Sequence, residues 1–202
     1  TATSTAQVNV DTLVRDFAMT DAGDIGDGML TGPEAADGLT LTGTVEPGSV
    51  VEVALDGVVL TATVSGGTWS VTYPAGSLPD GERSVDLVIT ATDAAQNTAT
   101  ETRTVQVDTV AGTLTIDPDP IETDDVVNEV EASDGVTITG TSDPGRGVTV
   151  TLGSASKAVL TAADGTWQAD FAPGEIEPGT YTADITATIS DSVGNMLTRT
   201  DT

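Results

Sequence analysis

Short stretches in which apolar and polar residues alternate run through most of this chain. The alternation is clearest between Tyr181 and Ile189, where every second residue is apolar. Such a pattern places the apolar side chains on one face of a β-strand. Turns rich in Gly, Pro, Asp and Asn separate these stretches. In the second half of the chain the pattern predicts seven strands, near 113–117, 136–142, 148–153, 157–162, 166–172, 180–190 and 196–202.

The same pattern occurs twice. Leu39-Thr40-Leu41-Thr42-Gly43-Thr44 recurs 97 residues later as Val136-Thr137-Ile138-Thr139-Gly140-Thr141, and Gly67-Thr68-Trp69 recurs 98 residues later as Gly165-Thr166-Trp167. A period near 100 residues is the size of a whole small domain. Seven short alternating strands in each repeat indicate an immunoglobulin-like sandwich without a disulfide. The sequence therefore predicts an all-β fold of two tandem immunoglobulin-like, seven-stranded antiparallel β-sandwiches.

The repeat also predicts where the domains begin and end. Val8-Asn9-Val10-Asp11 matches Val105-Gln106-Val107-Asp108, which closes the first repeat. We therefore expect residues 1–10 to be the last strand of a preceding repeat. The two domains are then expected at residues 11–108 and 109–202.

Composition removes several kinds of chemistry. The 202 residues include no Cys and no His, which excludes thiol nucleophiles, disulfides, Cys/His zinc sites and His-based acid–base catalysis. Aromatic residues make up only 3% of the chain. Trp69 and Trp167 are either a sugar-binding platform or the one large aromatic of a core built from small residues. Their equivalent places after a Gly-Thr turn favour the core.

The charge balance is strongly acidic, with 32 Asp and Glu against 6 Lys and Arg and a net charge of −26. Nucleic acid is excluded as a partner because its binding needs basic residues on the phosphates. Membrane insertion is not expected, since no apolar run is long enough to span a bilayer. The acids are either a solvated surface or ligands of bound cations.

The acids concentrate in the long loop after the first strand of each repeat. If the strands run up and down, this loop lies at the far end of one sandwich, beside the linker and the first turns of the next. Carboxylates and amides that converge there suit Ca²⁺, which takes six to eight oxygen ligands. The alternative is that Asp27 and Asp124 cap short helical turns and that Asp37 and Asp134 begin plain turns. The candidate calcium ligands are Asp11, Asp27, Glu34, Asp37, Asp93, Asp108, Asp124, Glu131, Asp134, Asp191 and Asn195.

Several short motifs occur in the repeats or at their linkers, some in both repeats and some in the first repeat alone. They are Val-Asp-Thr, Thr-Gly-Thr, Glu/Asp-Pro-Gly, Gly-Thr-Trp, Leu-Pro-Asp-Gly and Ala-Thr-Asp-Ala-Ala-x-Asn. Together they resemble the bacterial Ig-like repeats of giant biofilm-associated and RTX-type adhesins exported by type I secretion. The resemblance implies an extracellular place on the bacterial cell surface and an extender role, with calcium at domain junctions. It also implies that the partners are neighbouring repeats and that the chain is monomeric within a long array.

The leading hypothesis is therefore a structural spacer stiffened by calcium. The alternative is a binding module that contacts glycan or protein through its loops or a sheet face. An enzyme with paired carboxylates is not expected, because the acids lie in repeated loops and not in one cleft. Alternating Thr residues evoke ice binding, but they are ordinary on exposed strand faces.

Overall fold

The computed structural model describes residues 4–201. It contains two compact units, Thr1–Thr109 and Val110–Thr202. This boundary lies one residue after the expected one, and Thr109 exchanges hydrogen bonds with Gly81 of the first unit. Residues 4–10 are exposed and form no strand. The strand expected at 1–10 stays a prediction, and residues 1–3 and 202 lie outside the described range.

The first unit is a sandwich of two sheets whose strand orders are β1-β3-β7-β6 and β2-β9-β8-β4-β5. A six-residue helix, α1 (Gly32–Asp37), follows β2. The strands are β1 (Ala18–Asp21), β2 (Met29–Thr31), β3 (Leu39–Thr44), β4 (Val50–Leu55), β5 (Val58–Thr61), β6 (Thr63–Ser65), β7 (Thr68–Tyr73), β8 (Glu82–Thr92) and β9 (Thr98–Asp108).

The second unit has the same arrangement in fewer strands, with sheets β10-β11-β14 and β13-β12-β15-β16. Its helix α2 (Glu129–Asp134) takes the place of α1. The strands are β10 (Leu114–Ile116), β11 (Val136–Ser142), β12 (Gly147–Leu152), β13 (Ala155–Leu160), β14 (Thr166–Phe171), β15 (Ile185–Ser190) and β16 (Met196–Asp201). The all-β, Ig-like prediction is confirmed, and all seven strands predicted for this unit are present.

The sixth predicted strand is shorter than expected. It was predicted at 180–190, but β15 begins at Ile185 and Tyr181 is half exposed before it. In the first unit the matching stretch, 82–86, pairs with the end of β9. No described residue pairs with 180–184 in this way. Without a partner strand on that side, this alternating stretch is not part of β15.

The first unit departs from seven antiparallel strands in two details. One predicted strand is divided at Ala62, so that β5 pairs with β4 in one sheet and β6 pairs with β7 in the other. In addition, the three-residue strand β2 pairs with the end of β9 in parallel. Both details depend on partners distant in sequence, which local alternation does not reveal.

Each core is built around a tryptophan that packs on a glycine. Trp69 and Trp167 are 1% and 2% exposed, which confirms the core interpretation. Trp69 lies opposite Gly43 in the ladder between β3 and β7, and Trp167 lies opposite Gly140 in the second unit. A Cβ atom at Gly43 would lie 2.5 Å from the indole Nε1 of Trp69. The Thr-Gly-Thr and Gly-Thr-Trp motifs are thus the two halves of one packing interaction.

We expect Gly43→Ala to destabilise the first unit, because the added methyl group cannot fit between the indole ring and the backbone of β1. Overpacking of this kind costs about 1–3 kcal/mol in unfolding free energy. Gly26→Ala is the matched control, since a Cβ at Gly26 meets no atom within 4 Å. Urea unfolding, followed by Trp69 fluorescence in a Trp167→Phe background, measures the unfolding midpoint of each variant. Equal midpoints for the two variants would contradict the packing account.

Candidate functional site

A carboxylate–amide lock closes the hairpin between β8 and β9. The Asp93 Oδ1 atom accepts a hydrogen bond from the Asn97 backbone N–H at 2.8 Å, and its Oδ2 accepts one from Asn97 Nδ2 at 2.7 Å. The two backbones are also joined, since Asp93 N donates to the Asn97 carbonyl at 3.0 Å. Asp93 is buried, with 4% of its surface exposed. The four-residue spacing of Asp93 and Asn97 therefore stabilises the turn, without any bound ion.

The second unit repeats this lock between β15 and β16. Asp191 Oδ1 accepts hydrogen bonds from the backbone N–H groups of Val193 and Asn195, both at 2.9 Å, and Asp191 Oδ2 accepts from Asn195 Nδ2 at 2.6 Å. Gly194 has φ 91° in this turn, and Gln96 has φ 70° in the same place of the first unit. The turns of the two hairpins therefore have the same conformation.

Three of the acid and amide side chains come together at this end of the first unit. Asn97 Nδ2 also lies 3.4 Å from Asp11 Oδ1, so Asp11 reaches the lock formed by Asp93 and Asn97. We call these three residues the hairpin end. Asp11 and Asp93 were predicted as site residues, but Asn97 was not. Its 98-residue spacing from Asn195, which was predicted, is the signal that would have found it.

The lock favours the ionised carboxylates. Burial raises the pKa of Asp93, but the hydrogen bonds that its carboxylate accepts from the side chain and backbone of Asn97, and from nearby backbone N–H groups, outweigh burial and hold the pKa below its usual value. Burial likewise raises the pKa of Asp191, and the bonds from Asn195 and its neighbours lower it below its usual value. Both groups therefore carry negative charge at neutral pH.

The long loop of the first unit uses its acids to bind its own backbone. Asp27 Oδ1 accepts from Met29 N at 2.9 Å. Glu34 Oε2 accepts from the backbone N–H and the hydroxyl of Thr31, at 2.8 and 2.9 Å, and this is the capping box of α1. Asp37 is the exposed last residue of the helix, followed by Gly38 with φ 85°.

The long loop of the second unit does the same. Asp124 Oδ1 accepts from Val126 N at 3.1 Å, and Glu131 Oε2 accepts from Asn128 N at 2.9 Å in the capping box of α2. Asp134 is the exposed last residue of α2. Caps and turns thus account for the hydrogen bonds of these acids. Thr31 and Asn128 are the N-caps of α1 and α2. Asp124 is the C-cap residue of the short 3-10 turn Ile121–Thr123, and Asp27 is the last residue of the 3-10 turn Gly23–Asp27.

The predicted linker residue Asp108 lies between an acid on one neighbouring strand and a threonine on the other. It ends β9 in register with Glu82 on β8 and with Thr31 on β2, and Thr31 holds the carboxylate of Glu34. We call Asp108, Glu82 and Glu34 the linker end. Glu82 was missed because no repeat motif contains it. Across residues 4–201, no three or more Asp or Glu side chains are grouped closely enough to form a preformed metal site.

The acid of the Glu/Asp-Pro-Gly turn anchors the chain as it enters each unit. In the second unit, Asp143 accepts from the backbone N–H of Thr113 at 3.0 Å and from its hydroxyl at 2.7 Å. In the first unit, Glu46 accepts from Arg15 N at 3.1 Å. Hydrogen bonds from Thr113 are the main reason that the pKa of Asp143 is below its usual value. Both acids belong to a repeated motif, and Glu46 was not among the predicted site residues.

We expect Asp93→Asn to destabilise the first unit at neutral pH, because an amide cannot accept both bonds from Asn97. The pKa of Asp93 is lowered in the folded state, so its contribution is complete above the unfolded value of about 3.9 and is lost as pH falls through the folded pKa. The difference in unfolding free energy between wild type and variant should therefore be constant near pH 7 and shrink below about pH 4.

Denaturant unfolding in chelator between pH 3 and pH 7 measures this difference. Glu52→Gln, at an exposed position of β4, is the control and should change stability by less than about 0.5 kcal/mol. A difference for Asp93→Asn that stays constant down to pH 3, or one no larger than that of the control, would contradict the lock.

Residues 14–109 match the family model of the bacterial Ig-like domain, which is not an enzyme family. A search of the curated proteins finds no match. Within residues 4–201, no helix has the length and apolar character needed to cross a membrane.

Several solved structures are similar to the chain. One is a Ca²⁺-stabilized adhesin that helps an Antarctic bacterium reach out and bind ice, with 30% identity over 94% of this chain and 47% of that one, and a TM-score of 0.42. Another is a 1.5-MDa bacterial ice-binding adhesin, with 25% identity over 96% and 64% and a TM-score of 0.42. A third is the BSP domain of a biofilm-associated protein, with 21% identity over 91% and 28% and a TM-score of 0.28.

This chain therefore spans about half of the first solved chain and just under two thirds of the second. The family assignment depends on the match of residues 14–109, which covers the strands of the first unit. The second unit repeats the motifs and the strand order of the first. The match therefore identifies residues 14–109, the body of the first unit, as a bacterial Ig-like domain.

Proposed function

We propose that this chain is an extender region of a bacterial cell-surface adhesin, in which each Ig-like unit adds length. The observation that carries the proposal is the path of the chain through the first unit. The chain enters at the hairpin end, where Asp11 meets Asn97. It leaves at Thr109, after the unbroken strand β9. Ten residue steps along a strand span about 33 Å, so entry and exit lie at opposite ends of the unit.

The exit is firmly anchored on both sides of the domain boundary. Strand β9 pairs with β8 along its whole length, from Thr98 to Asp108, and Thr109 is bonded to Gly81. Two residues later, Ala111 is buried in the core of the second unit. Only Val110 connects the two anchored stretches. A short anchored connection transmits tension from one unit to the next without a slack linker, as an extender requires.

Calcium is the second part of the proposal. The linker end brings Asp108, Glu82 and Glu34 to neighbouring register positions, and the hairpin end gathers Asp11, Asp93 and Asn97. Their oxygens are the hard donors that Ca²⁺ prefers. The chain also carries a net charge of −26, so bound cations relieve repulsion among the acids. Since the described carboxylates form no preformed site, binding would draw the carboxylates of each end together. An ion at the linker end would stiffen the exit of the chain.

An extracellular place on the bacterial cell surface follows from the extender role. The alternative, a module that binds glycan or protein, has less support. Its clearest platform would have been the two tryptophans, and both are buried in their cores. The aromatic side chain that is most exposed, Tyr181, stands alone at 50% exposure.

We expect calcium to raise the melting temperature of the chain. An ion that binds only the folded state stabilises it by about 2.7 kcal/mol at a concentration of one hundred times its Kd. Calorimetry in millimolar calcium and in chelator measures the shift, with magnesium at the same concentration as the control for simple charge screening. Equal melting temperatures in calcium and in chelator would rule out the calcium part of the proposal and leave the extender part standing.

We expect Asp108→Ala to leave both units folded, because the end of a linker strand contributes little to either core, and to weaken the response to calcium. Spin labels on the two units report the distribution of distances between them. In the wild type calcium should narrow this distribution, and in Asp108→Ala the narrowing should be smaller. Glu52→Ala, which removes an exposed acid of β4, is the control and should behave as the wild type. The same narrowing in all three proteins would show that Asp108 holds no ion.

A further inference from the structure

One edge of the five-stranded sheet of the first unit has a stretch of backbone that no strand covers. Strand β9 pairs with β8 along its whole length, but on its other side β2 pairs only with Gln106, Val107 and Asp108. Of the described residues, none forms a strand beside residues 98–105 on that side. Such a row of backbone groups is a template for a further strand. The side chains of this stretch decide which strand fits it.

The backbone groups that face outward at this edge belong to threonines. The N–H of Gln106 donates to the Gly28 carbonyl, on the side away from β8. Because N–H groups two residues apart point to the same side of a strand, those of Thr100, Thr102 and Thr104 also point away from β8. All three threonines are exposed. A further strand can therefore form hydrogen bonds here without displacing any pair of the ladder between β8 and β9.

Two opposite charges alternate with these threonines, on the face of the sheet that covers the core. Glu101 and Arg103 are two residues apart, in register with the buried Ile89 and Leu87 of β8. Arg103 Nη2 lies 2.8 Å from Glu101 Oε1, and the side chains of Arg103 and Glu101 are 49% and 28% exposed. An inward charge on an edge strand excludes partner strands that would leave it unpaired. A strand that pairs here must therefore offer the opposite charge at each of the two positions.

We propose that two copies of this chain pair through this edge, with β9 of one copy antiparallel to β9 of the other and with Thr102 opposite Thr102. In this register each Glu101 lies opposite Arg103 of the other copy, in a non-hydrogen-bonded pair, where side chains are closest. Opposite charges that face each other across two strands stabilise their pairing. Thr100 of each copy lies opposite Thr104 of the other, and the three threonine pairs form about six backbone hydrogen bonds.

The charges select this register over its neighbours. A shift of the second strand by two residues places Glu101 opposite Glu101 in one direction and Arg103 opposite Arg103 in the other, and like charges directly opposite are destabilising. In the second unit the order is reversed, because Arg199 and Asp201 follow these two positions by 98 residues. Antiparallel pairing of the two unlike edges in the equivalent register would therefore oppose acid with acid and base with base. Pairing of the first unit with another first unit avoids this.

The contact is closed, because both copies use the same edge, so association ends at two chains. The two chains then run in opposite directions through their first units. The net charge of −26 opposes any association of copies, and an edge whose own charges balance does not add to that repulsion. This pair of copies departs from the monomer expected from the sequence.

Sedimentation equilibrium of the full chain tests the proposal, in chelator at about 0.15 M ionic strength and over a hundredfold range of concentration. Thr102→Pro removes the outward N–H at the centre of the contact, and proline is tolerated on an edge strand where that N–H faces solvent. Thr102→Ala keeps the N–H and is the matched control. We expect the average mass of the wild type and of Thr102→Ala to rise toward two chains, and that of Thr102→Pro to stay at one.

Trp69 fluorescence in a Trp167→Phe background checks that the first unit of each variant is folded. A wild type that is monomeric at every concentration overturns the proposal. A folded Thr102→Pro chain that associates as the wild type does overturns it as well.

An exchange of charges tests the register. Glu101→Arg alone would place two pairs of positive charges in the contact, and Arg103→Glu alone would place two pairs of negative charges, so each variant should sediment as one chain. An equal mixture of the two variants restores both ion pairs, and its average mass should rise toward two chains at concentrations where each variant alone stays at one. If the mixture stays monomeric where the wild type associates, or if either variant alone associates as the wild type does, the proposal is wrong.

Discussion

The ladder between β8 and β9 is the interaction on which the rest of this structure depends. It pairs eleven residues of each strand, from Thr92 and Thr98 at one end to Glu82 and Asp108 at the other. The Asp93–Asn97 lock closes the first end and receives Asp11 from the entering chain, while the second end carries the chain out through Thr109. Because one continuous ladder joins entry to exit, the direction of the chain through the unit and the place of its acids both follow from it.

The two units show which parts of this plan are obligatory. In both units a tryptophan packs on a glycine and a carboxylate–amide lock closes a hairpin. Both also have a capping box at the start of their helix, α1 or α2, and an acid that binds the backbone of the entering chain. The two units differ at positions where a side chain only packs in the core or is exposed to solvent. Tyr73 donates a hydrogen bond to the Val53 carbonyl, for example, whereas Phe171 fills the equivalent place without a hydroxyl. The shared features are those that fix the hairpins and the entry of the chain into each unit.

Much of the fold could be predicted from the sequence because its signals are local. Alternation gave the strands, Gly and Pro gave the turns, and the repeat gave the number of units. The parallel strand β2 and the division of β5 from β6 at Ala62 could not be predicted, since a three-residue strand has no alternation and its partner lies far along the chain. The candidate site was only partly predictable for another reason. A carboxylate such as Glu34 looks the same in sequence whether it binds an ion or caps a helix, and its bonds to Thr31 became visible only in the structure.

The central proposal is that the first unit transmits tension from one end to the other along a fully paired strand. Pulling single chains by their two ends tests this most directly. The account predicts two separate unfolding events, each releasing nearly the whole length of one unit at once, because the ladder cannot open gradually when its two ends are loaded in opposite directions. A smooth extension without separate events, or repeated partial releases from within one unit at low force, would contradict it.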